Sequence, residues 1–258
     1  MTGDTILETR GLTKEFKGFV AVDHVNLKVR RGSIHALIGP NGAGKTTTFN
    51  LLTKFLPPTD GQILFNGDDI THEKPADVAR RGIIRSFQIS AVFPNLTVLE
   101  NVRVALQRGL GTSFHFWRRE KTLEVLNERA MALLDRVGLT QFARLHAVEL
   151  AYGRKRTLEI ATTLAMEPEL MLLDEPTAGM GHEDVDRVKA LIKEVAVGRT
   201  VLMVEHNMSV VSGICDTITV LQRGAVLAEG PYGEISGNPQ VIEAYMGSTE
   251  GQGAAQHG

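Results

Sequence analysis

The sequence predicts an α/β fold with a mostly parallel sheet core, an N-terminal antiparallel β subdomain and an inserted all-helical subdomain. A continuous apolar run at 170–173 is typical of a strand buried on both faces of a parallel sheet, and 200–204 is predicted as a second buried strand. Residues 25–29 instead alternate between apolar and polar side chains, the period of a half-buried strand. Apolar residues at helical spacing between 98 and 137 predict the helices of the insertion.

Length and composition favour one domain with a full hydrophobic core. The chain has 258 residues, of which 43% are hydrophobic. We expect a single domain over 1–247, with the core and β subdomain at about 4–88 and 161–247 and the helical subdomain at about 89–160. Residues 248–258 are small and polar, so we expect them to form a disordered tail.

Charge and cysteine content exclude some classes of function. The formal net charge of −2 argues against a broad nucleic-acid-binding surface. Cys215 is the only cysteine, so no intrachain disulfide can form, as expected for a protein of the reducing cytoplasm. The first ten residues lack the apolar core of a signal peptide, and no apolar run approaches the ~20 residues of a membrane helix. We therefore expect that the chain does not itself cross a bilayer.

The first strand of the core leads into a glycine-rich loop. The loop, Gly-Pro-Asn-Gly-Ala-Gly-Lys-Thr-Thr at 39–47, fits the phosphate-loop pattern GxxxxGK[ST] and is followed by a helical pattern at 48–55. Glycines let backbone N–H groups approach phosphate oxygens, Lys45 would reach the β- and γ-phosphates, and the Thr46 hydroxyl would ligate Mg²⁺. The nucleotide-binding residues predicted here are Gly39, Pro40, Asn41, Gly42, Ala43, Gly44, Lys45, Thr46 and Thr47.

Between the loop and the second apolar run, the pattern changes from strands to helices. Turn residues bracket a short strand at 62–65, and a strand at 83–87 runs into Gln88. Thr97 is a good N-cap for a helix over 98–107, and a long amphipathic helix follows over 120–137. Just before it lie three aromatic residues, which would cap a helical core or form a partner surface: Phe114, Phe116 and Trp117.

Acidic residues follow the apolar run 170–173, where ligands bind in open α/β sheets. Asp174 would hold Mg²⁺ directly or through water, and Glu175 would polarise the water that attacks the γ-phosphate. The run 200–204 ends in Glu205 and His206. His206 either contacts the γ-phosphate or is an ordinary surface histidine.

The N-terminal part of the chain is predicted to contain short strands. The C-terminal part is predicted to contain a hairpin followed by a helix. Near the N-terminus, Phe16 either stacks on an adenine ring or packs with Phe19 in a small core. Towards the C-terminus, strands at 217–221 and 225–228 form a hairpin, and a short helix covers 239–246.

Taken together, these motifs resemble the ATP-binding subunits of ABC transporters over nearly the whole chain. Such a resemblance implies a RecA-like core around the phosphate loop. Phe16 matches the adenine-stacking aromatic, Gln88 the Q-loop, Asp174 and Glu175 the Walker B pair, and His206 the switch histidine. The signature motif corresponds to residues 150–154, of which four would contact the ATP of the opposite subunit: Ala151, Tyr152, Gly153 and Arg154.

Within that family the sequence looks most like the ATPases of branched-chain amino acid importers. Supporting motifs are Leu-Ala-Tyr-Gly at 150–153, Leu-Glu-Ile-Ala at 158–161, Val-Glu-His-Asn at 204–207 and the ending at 238–247; they are less similar to those of urea and amide importers. Two positions depart from the family pattern. Ala151 lacks the signature serine hydroxyl, and Gly181 replaces the usual aspartate of the D-loop.

The resemblance implies a transport ATPase with ATP and Mg²⁺ as its ligands. It implies a head-to-tail dimer with a second cassette, identical or paralogous, on membrane-spanning permease subunits that receive solute from a binding protein. Gln88 would join the metal shell and sense the permease. The protein would lie at the cytoplasmic face of the inner membrane. The alternative is a soluble ABC-type ATPase of DNA repair or translation, but the chain has one phosphate loop and no coiled-coil insertion or basic arm.

Overall fold

The computed structural model describes residues 4–86, 92–109 and 120–253, with side chains described at 4–86, 92–107 and 125–246. Within these ranges the strands form two sheets. The strands are β1 (Thr5–Phe16), β2 (Phe19–Val25), β3 (Lys28–Arg30), β4 (Ile34–Ile38), β5 (Asp60–Phe65), β6 (Asp68–Asp69), β7 (Ile83–Ser86), β8 (Leu170–Asp174), β9 (Thr200–Val204), β10 (Thr217–Gln222) and β11 (Ala225–Gly230).

The first sheet is antiparallel and has the order β2-β1-β5-β6, with β3 paired to β1. The second has the order β11-β10-β4-β9-β8-β7, in which only the β10–β11 pair is antiparallel. Strands β4, β8 and β9 are buried along their whole length. The predicted fold class, a mostly parallel core sheet with an antiparallel β region before it, is confirmed.

Helices lie in the connections between the strands, and two more follow the last strand. They are α1 (Lys45–Leu52), α2 (Pro75–Arg80), α3 (Val98–Gly109), α4 (Glu120–Arg136), α5 (Tyr152–Ala165), α6 (His182–Ala196), α7 (Met208–Ile214), α8 (Tyr232–Ser236) and α9 (Pro239–Gly253). The predicted cap of α3 is confirmed, because the Glu100 amide donates to Thr97 Oγ1 at 3.2 Å while the Thr97 amide donates to Glu100 Oε2 at 2.8 Å.

One continuous apolar cluster joins the helical segment to the core sheet. It includes Val102 on α3, Leu134 on α4 and Leu158 on α5 together with Leu173 on β8 and Met203 on β9. Packing of these apolar faces, rather than helix propensity alone, holds the helical segment in place. The division of the chain into subdomains at 88 and 160 stays a prediction.

Two differences from the predicted elements have a physical reason. Burial alternates over 25–29 as expected, yet β2 ends at Val25 and β3 begins at Lys28. The break follows His24, whose φ of 48° turns the chain while the Asn26 side chain bonds the His24 carbonyl. Helix α9 continues to Gly253, past the end predicted at 246 and into the segment expected to be disordered. Once its first turns are packed, each further residue adds a hydrogen bond, so the helix propagates into sequence of low propensity.

Gln88 and the aromatic residues Phe114, Phe116 and Trp117 lie outside the described residues. In the part of the chain that is described, no helix has the length and apolar character needed to span a bilayer.

Candidate nucleotide site

The glycine loop joins the buried strand β4 to α1, and two of its glycines are required by close contacts. A Cβ on Gly39 would lie 2.2 Å from the Leu221 carbonyl oxygen, and one on Gly44 would lie 2.5 Å from that of Ala21. Both residues have positive φ, 148° and 99°. The loop is thus fixed between β10 on one side and β2 on the other.

The start of α1 offers positive charge to an anion. Gly44 is the N-cap and provides no side-chain cap, and the first turn carries no acidic residue. The N–H groups of this turn therefore remain available to a phosphate. Thr46 is exposed at the same end of the helix, while Thr48 is buried and donates its hydroxyl to the Gly44 carbonyl.

Lys45 is buried and folded over the loop. Its Nζ donates to the carbonyls of Gly39 at 2.7 Å and Pro40 at 2.9 Å. Burial lowers the pKa of Lys45, and the carboxylates of Glu175 and Asp174 oppose that shift. The parallel strands β4, β9 and β8 are neighbours in the sheet, so the loop lysine and the two acids lie at the same edge.

Glu175 and His206 meet at the carboxyl end of the core sheet. His206 Nε2 lies 3.0 Å from Glu175 Oε1, and both side chains are partly exposed. Glu175 has a φ of 47°, and its amide donates to the Val204 carbonyl at 2.9 Å. A left-handed conformation is costly for a residue with a side chain, and such residues are common at functional sites. Strand pairing of β8 with β9 thus brings the predicted general base and the predicted switch histidine into contact.

Asp174 is buried at the end of β8 and makes an ion pair that the sequence analysis missed. A guanidinium nitrogen of Arg85, on the neighbouring strand β7, contacts Asp174 Oδ2, and the other donates to Asn50 Oδ1 on α1 at 2.6 Å. The available signal was a charged residue inside the predicted strand 83–87, since a buried charge needs a partner.

Glu205 is a second residue that the sequence analysis left without a role. It is 2% exposed. Its Oε1 accepts from the amide and hydroxyl of Thr177 at 3.0 and 2.5 Å, and its Oε2 accepts from the amides of His206 and Asn207 at 2.9 and 3.1 Å. Glu205 therefore ties the loop after Glu175 to the loop that carries His206.

Phe16 lies at the tip of the β1–β2 hairpin, whose strand β2 contacts the glycine loop through Ala21. Phe16 and Phe19 are 42% and 66% exposed as residues, so they do not form the small core considered as the alternative. Lys14 Nζ lies 5.1 Å from the centroid of the Phe16 ring. An exposed ring at this place is available for stacking on a base.

The signature residues occupy the N-terminus of α5, on a different element from the loop. Ala151 is the N-cap and has no side-chain oxygen, Tyr152 is half exposed, and Arg154 lies over the Phe142 ring at 4.2 Å. Gly153 is buried, and a Cβ there would lie 2.8 Å from a carboxylate oxygen of Asp184. In this turn Gly153 packs against α6, Arg154 packs against the helical segment, and the Tyr152 ring lies beside Gly179.

The C-terminal helix also contacts the loop. Burial raises the pKa of the Tyr245 phenol, and the nearby backbone of Gly39 opposes the shift. Tyr245 lies on α9. The helix therefore packs against the first residue of the glycine loop.

The residues present fit a magnesium ion. Mg²⁺ takes oxygen ligands and usually binds one or two protein groups together with phosphates and water. Thr46 supplies a hydroxyl, and Asp174 supplies a carboxylate. Among the described residues there is no group of three or more His, Cys, Asp or Glu side chains that could hold a metal by itself. A metal at this site would therefore depend on the nucleotide for most of its ligands.

Comparison with known proteins identifies the family. A family model described as ABC transporter matches residues 22–178, more than half of the chain. The chain therefore belongs to the ABC transporter family, as one of its ATPase subunits. A second model, described as branched-chain amino acid ATP-binding cassette transporter, matches residues 225–250.

Two similar curated proteins are named as ATP-binding proteins of branched-chain amino acid transport. The chain is 44% identical over 252 residues to the high-affinity branched-chain amino acid transport ATP-binding protein BraF of Pseudomonas aeruginosa, covering 94% of this chain and 98% of BraF. It is 41% identical over 251 residues to LivG, the protein of the same description in Escherichia coli, with the same coverage of 94% and 98%.

Solved structures of cassettes have the same fold. The ADP conformation of MJ1267, an ATP-binding cassette of an ABC transporter, is 31% identical with a TM-score of 0.83, over 94% of this chain and 99% of that chain. A dimeric post-hydrolysis state of the cassette MJ0796 bound to ADP and Pi is 25% identical with a TM-score of 0.75, over 88% and 98%. The sequence-based resemblance to the ABC family is confirmed.

Proposed function

We propose that this chain binds and hydrolyses ATP to drive the import of branched-chain amino acids, as a subunit that works by dimer closure. The observation that carries the proposal is the meeting of Lys45 and the open N-terminus of α1 with Asp174, Glu175 and His206 at one edge of the core sheet. The named functions of BraF and LivG, and the match of the C-terminal segment to the branched-chain model, support the choice of solute.

Binding of the triphosphate would rest on the loop. Its backbone N–H groups and the α1 dipole would face the phosphates, and the Lys45 ammonium would exchange its two carbonyl partners for phosphate oxygens. The exposed Phe16 ring would stack on the adenine. Thr46 and Asp174 would hold Mg²⁺, with Gln88 as a further ligand; when bound, the ion neutralises charge on the phosphates.

Hydrolysis needs a base for the attacking water and a donor for the γ-phosphate. Glu175 would accept the proton of the water, and His206, which is already within hydrogen-bond distance of Glu175, would contact the γ-phosphate. These residues would act mainly by positioning the reactants and stabilising charge, because phosphoryl transfer depends mainly on positioning and electrostatics. Loss of a general base typically costs ~10²–10⁴ in rate.

Closure of a second cassette would complete the site. The signature turn would then face the γ-phosphate of the opposite subunit. Since Ala151 has no hydroxyl, the contact would come from the N–H groups around Gly153, the α5 dipole and the half-exposed Tyr152. The dimeric MJ0796 structure supports such an assembly. The partner would be a second copy or a paralogue.

The membrane partner would be a pair of permease subunits that receive solute from a binding protein. A groove lined by apolar side chains, among them Phe55, Ala76 and Ile84, lies next to β7, just before Gln88. Phe55 and Phe93 are each 54% exposed. We place a cytoplasmic helix of the permease against this surface, which would hold the chain at the inner face of the membrane.

The test compares two variants of the purified chain. Glu175→Gln is expected to bind ATP, to lose at least 10²-fold in turnover and to run as a dimer with ATP on a sizing column. Lys45→Ala is expected to lose nucleotide affinity. Full ATPase activity in Glu175→Gln, or unchanged ATP binding in Lys45→Ala, would contradict the assignment. Crosslinking from Phe93 or Asn95 in membranes tests the permease contact, and growth on branched-chain amino acids after deletion tests the solute.

A further inference from the structure

Arg85 connects the strand before Gln88 to both halves of the nucleotide site. Its side chain is 9% exposed and that of Asp174 is 1% exposed, so the pair is shielded from water. One guanidinium nitrogen contacts Asp174 Oδ2 and another donates to Asn50 Oδ1 on the phosphate-loop helix. The two strands are paired with Arg85 opposite Leu172, two residues before Asp174.

The position of the guanidinium is fixed from more than one side. Arg85 lies over the Phe49 ring, with 5.6 Å between the guanidinium carbon and the ring centroid. Its Nε is buried and has no hydrogen-bond partner. The contacts to Phe49, Asn50 and Asp174 hold the side chain beside the carboxylate.

A fixed guanidinium at this place opposes metal binding by the same carboxylate. Asp174 supplies two oxygens, and Oδ2 is already the acceptor of a charge-assisted hydrogen bond. A divalent cation on Asp174 would also sit close to the arginine charge, and at such distances like charges repel strongly in a poorly solvated site. The pairing thus orients Asp174 and weakens its attraction for a cation.

We propose that Arg85 is a positioning residue that occupies Asp174 when no metal is bound and sets the metal concentration at which the site fills. The proposal rests on the proposed function only in taking Asp174 as the metal-binding carboxylate. It makes a directional statement: removal of the arginine charge strengthens metal binding, whereas a residue that merely supported the fold would weaken it or leave it unchanged.

The experiment uses Mn²⁺ as the probe and a non-hydrolysable ATP analogue at saturation. Free Mn²⁺ is followed by electron paramagnetic resonance. Arg85→Met is expected to lower the apparent Kd for Mn²⁺ by about tenfold, the order set by one like charge nearby. Arg85→Lys keeps the charge and is expected to stay within about threefold of the unchanged protein. Arg129→Met removes an exposed arginine paired with Glu167 and is the matched control, with no change expected.

Two further measurements keep the proposal falsifiable. If Arg85→Met does not fold, Asn50→Ala, which removes an anchor of the guanidinium but no charge, is expected to lower the Kd for Mn²⁺ by two- to threefold. Equal or weaker Mn²⁺ binding in a folded Arg85→Met or Asn50→Ala variant overturns the proposal. Asp174→Asn separates the two ideas: if it leaves Mn²⁺ affinity unchanged, the metal role of Asp174 fails and the Arg85 proposal falls with it, whereas a loss there with no gain in Arg85→Met refutes Arg85 alone.

Discussion

Replacement of Glu205 by alanine should damage both stability and turnover, although Glu205 is not assigned to the chemistry. Its carboxylate accepts hydrogen bonds from Thr177, His206 and Asn207 and is 2% exposed. Each hydrogen bond to a charged group is worth ~1.5–3 kcal/mol, and a buried donor left unpaired costs ~1–3 kcal/mol. Water entering the space would offset part of this, so we expect a loss of about 3–5 kcal/mol, the range for breaking a buried charged network.

The assay is urea denaturation followed by steady-state ATPase kinetics. A loss of that size corresponds to a decrease in Tm of roughly 10 °C for a chain of this length. Glu205→Gln should lose less, because one oxygen still accepts while the amide nitrogen faces a donor. In both variants kcat should fall more than KM rises, since the His206 loop is displaced and the phosphate loop is not. Glu194→Ala is the control, because its ion pair with Arg136 is exposed and 4.0 Å long.

A change in unfolding free energy below about 1 kcal/mol for Glu205→Ala would refute this reasoning. That result would mean that the four hydrogen-bond donors to Glu205 bind water in the variant with no net loss of free energy. Loss of stability with an unchanged kcat would mean that Glu205 stabilises the fold but does not position His206 for catalysis.

Three other measurements follow from the structure. Ala151→Ser should add a side-chain cap to α5 and raise the unfolding free energy by ~1 kcal/mol in urea titrations; no gain would mean that the turn cannot bond the new hydroxyl. Burial lowers the pKa of His35 to about 4 from 6.5. The unfolded state therefore binds a proton at a higher pH than the folded state does, so the free energy of unfolding decreases by ~3 kcal/mol as the pH falls from 6.5 to 4. Above pH 6.5 this group causes no loss. Urea titrations over this pH range should show that His35→Gln lacks this part of the pH dependence. Burial raises the pKa of Cys215 to about 12, so disulfide reagents should label it slowly at pH 8 until the protein unfolds, and fast labelling of the folded protein would contradict that.

Local patterns were sufficient for the elements that carry their own signals. The glycine loop, the buried strands β8 and β9 and the capped helix α3 each depend on residues close together in sequence. The partners Glu175 and His206 were predicted separately, and their contact at 3.0 Å follows once β8 pairs with β9.

The pairing of Arg85 with Asp174 could not be predicted from such patterns. The two residues are 89 positions apart, and the contact depends on the register of β7 on β8. For Glu205, the sequence shows an acid at a strand end, but the four donors it satisfies come together only in the folded loops. The break after Val25 likewise depends on a left-handed residue, His24, that is not a glycine.

The contact between Tyr245 and Gly39 joins the most specialised part of this chain to its most general one. Residues 225–250 match the branched-chain model, whereas the loop pattern occurs in phosphate-loop proteins of many kinds. Shortening the chain before α9 would therefore remove the Tyr245 contact with the glycine loop without deleting any residue of the loop itself. Sequence changes confined to the C-terminal segment would in this way alter the support of the glycine loop while the loop sequence stays the same.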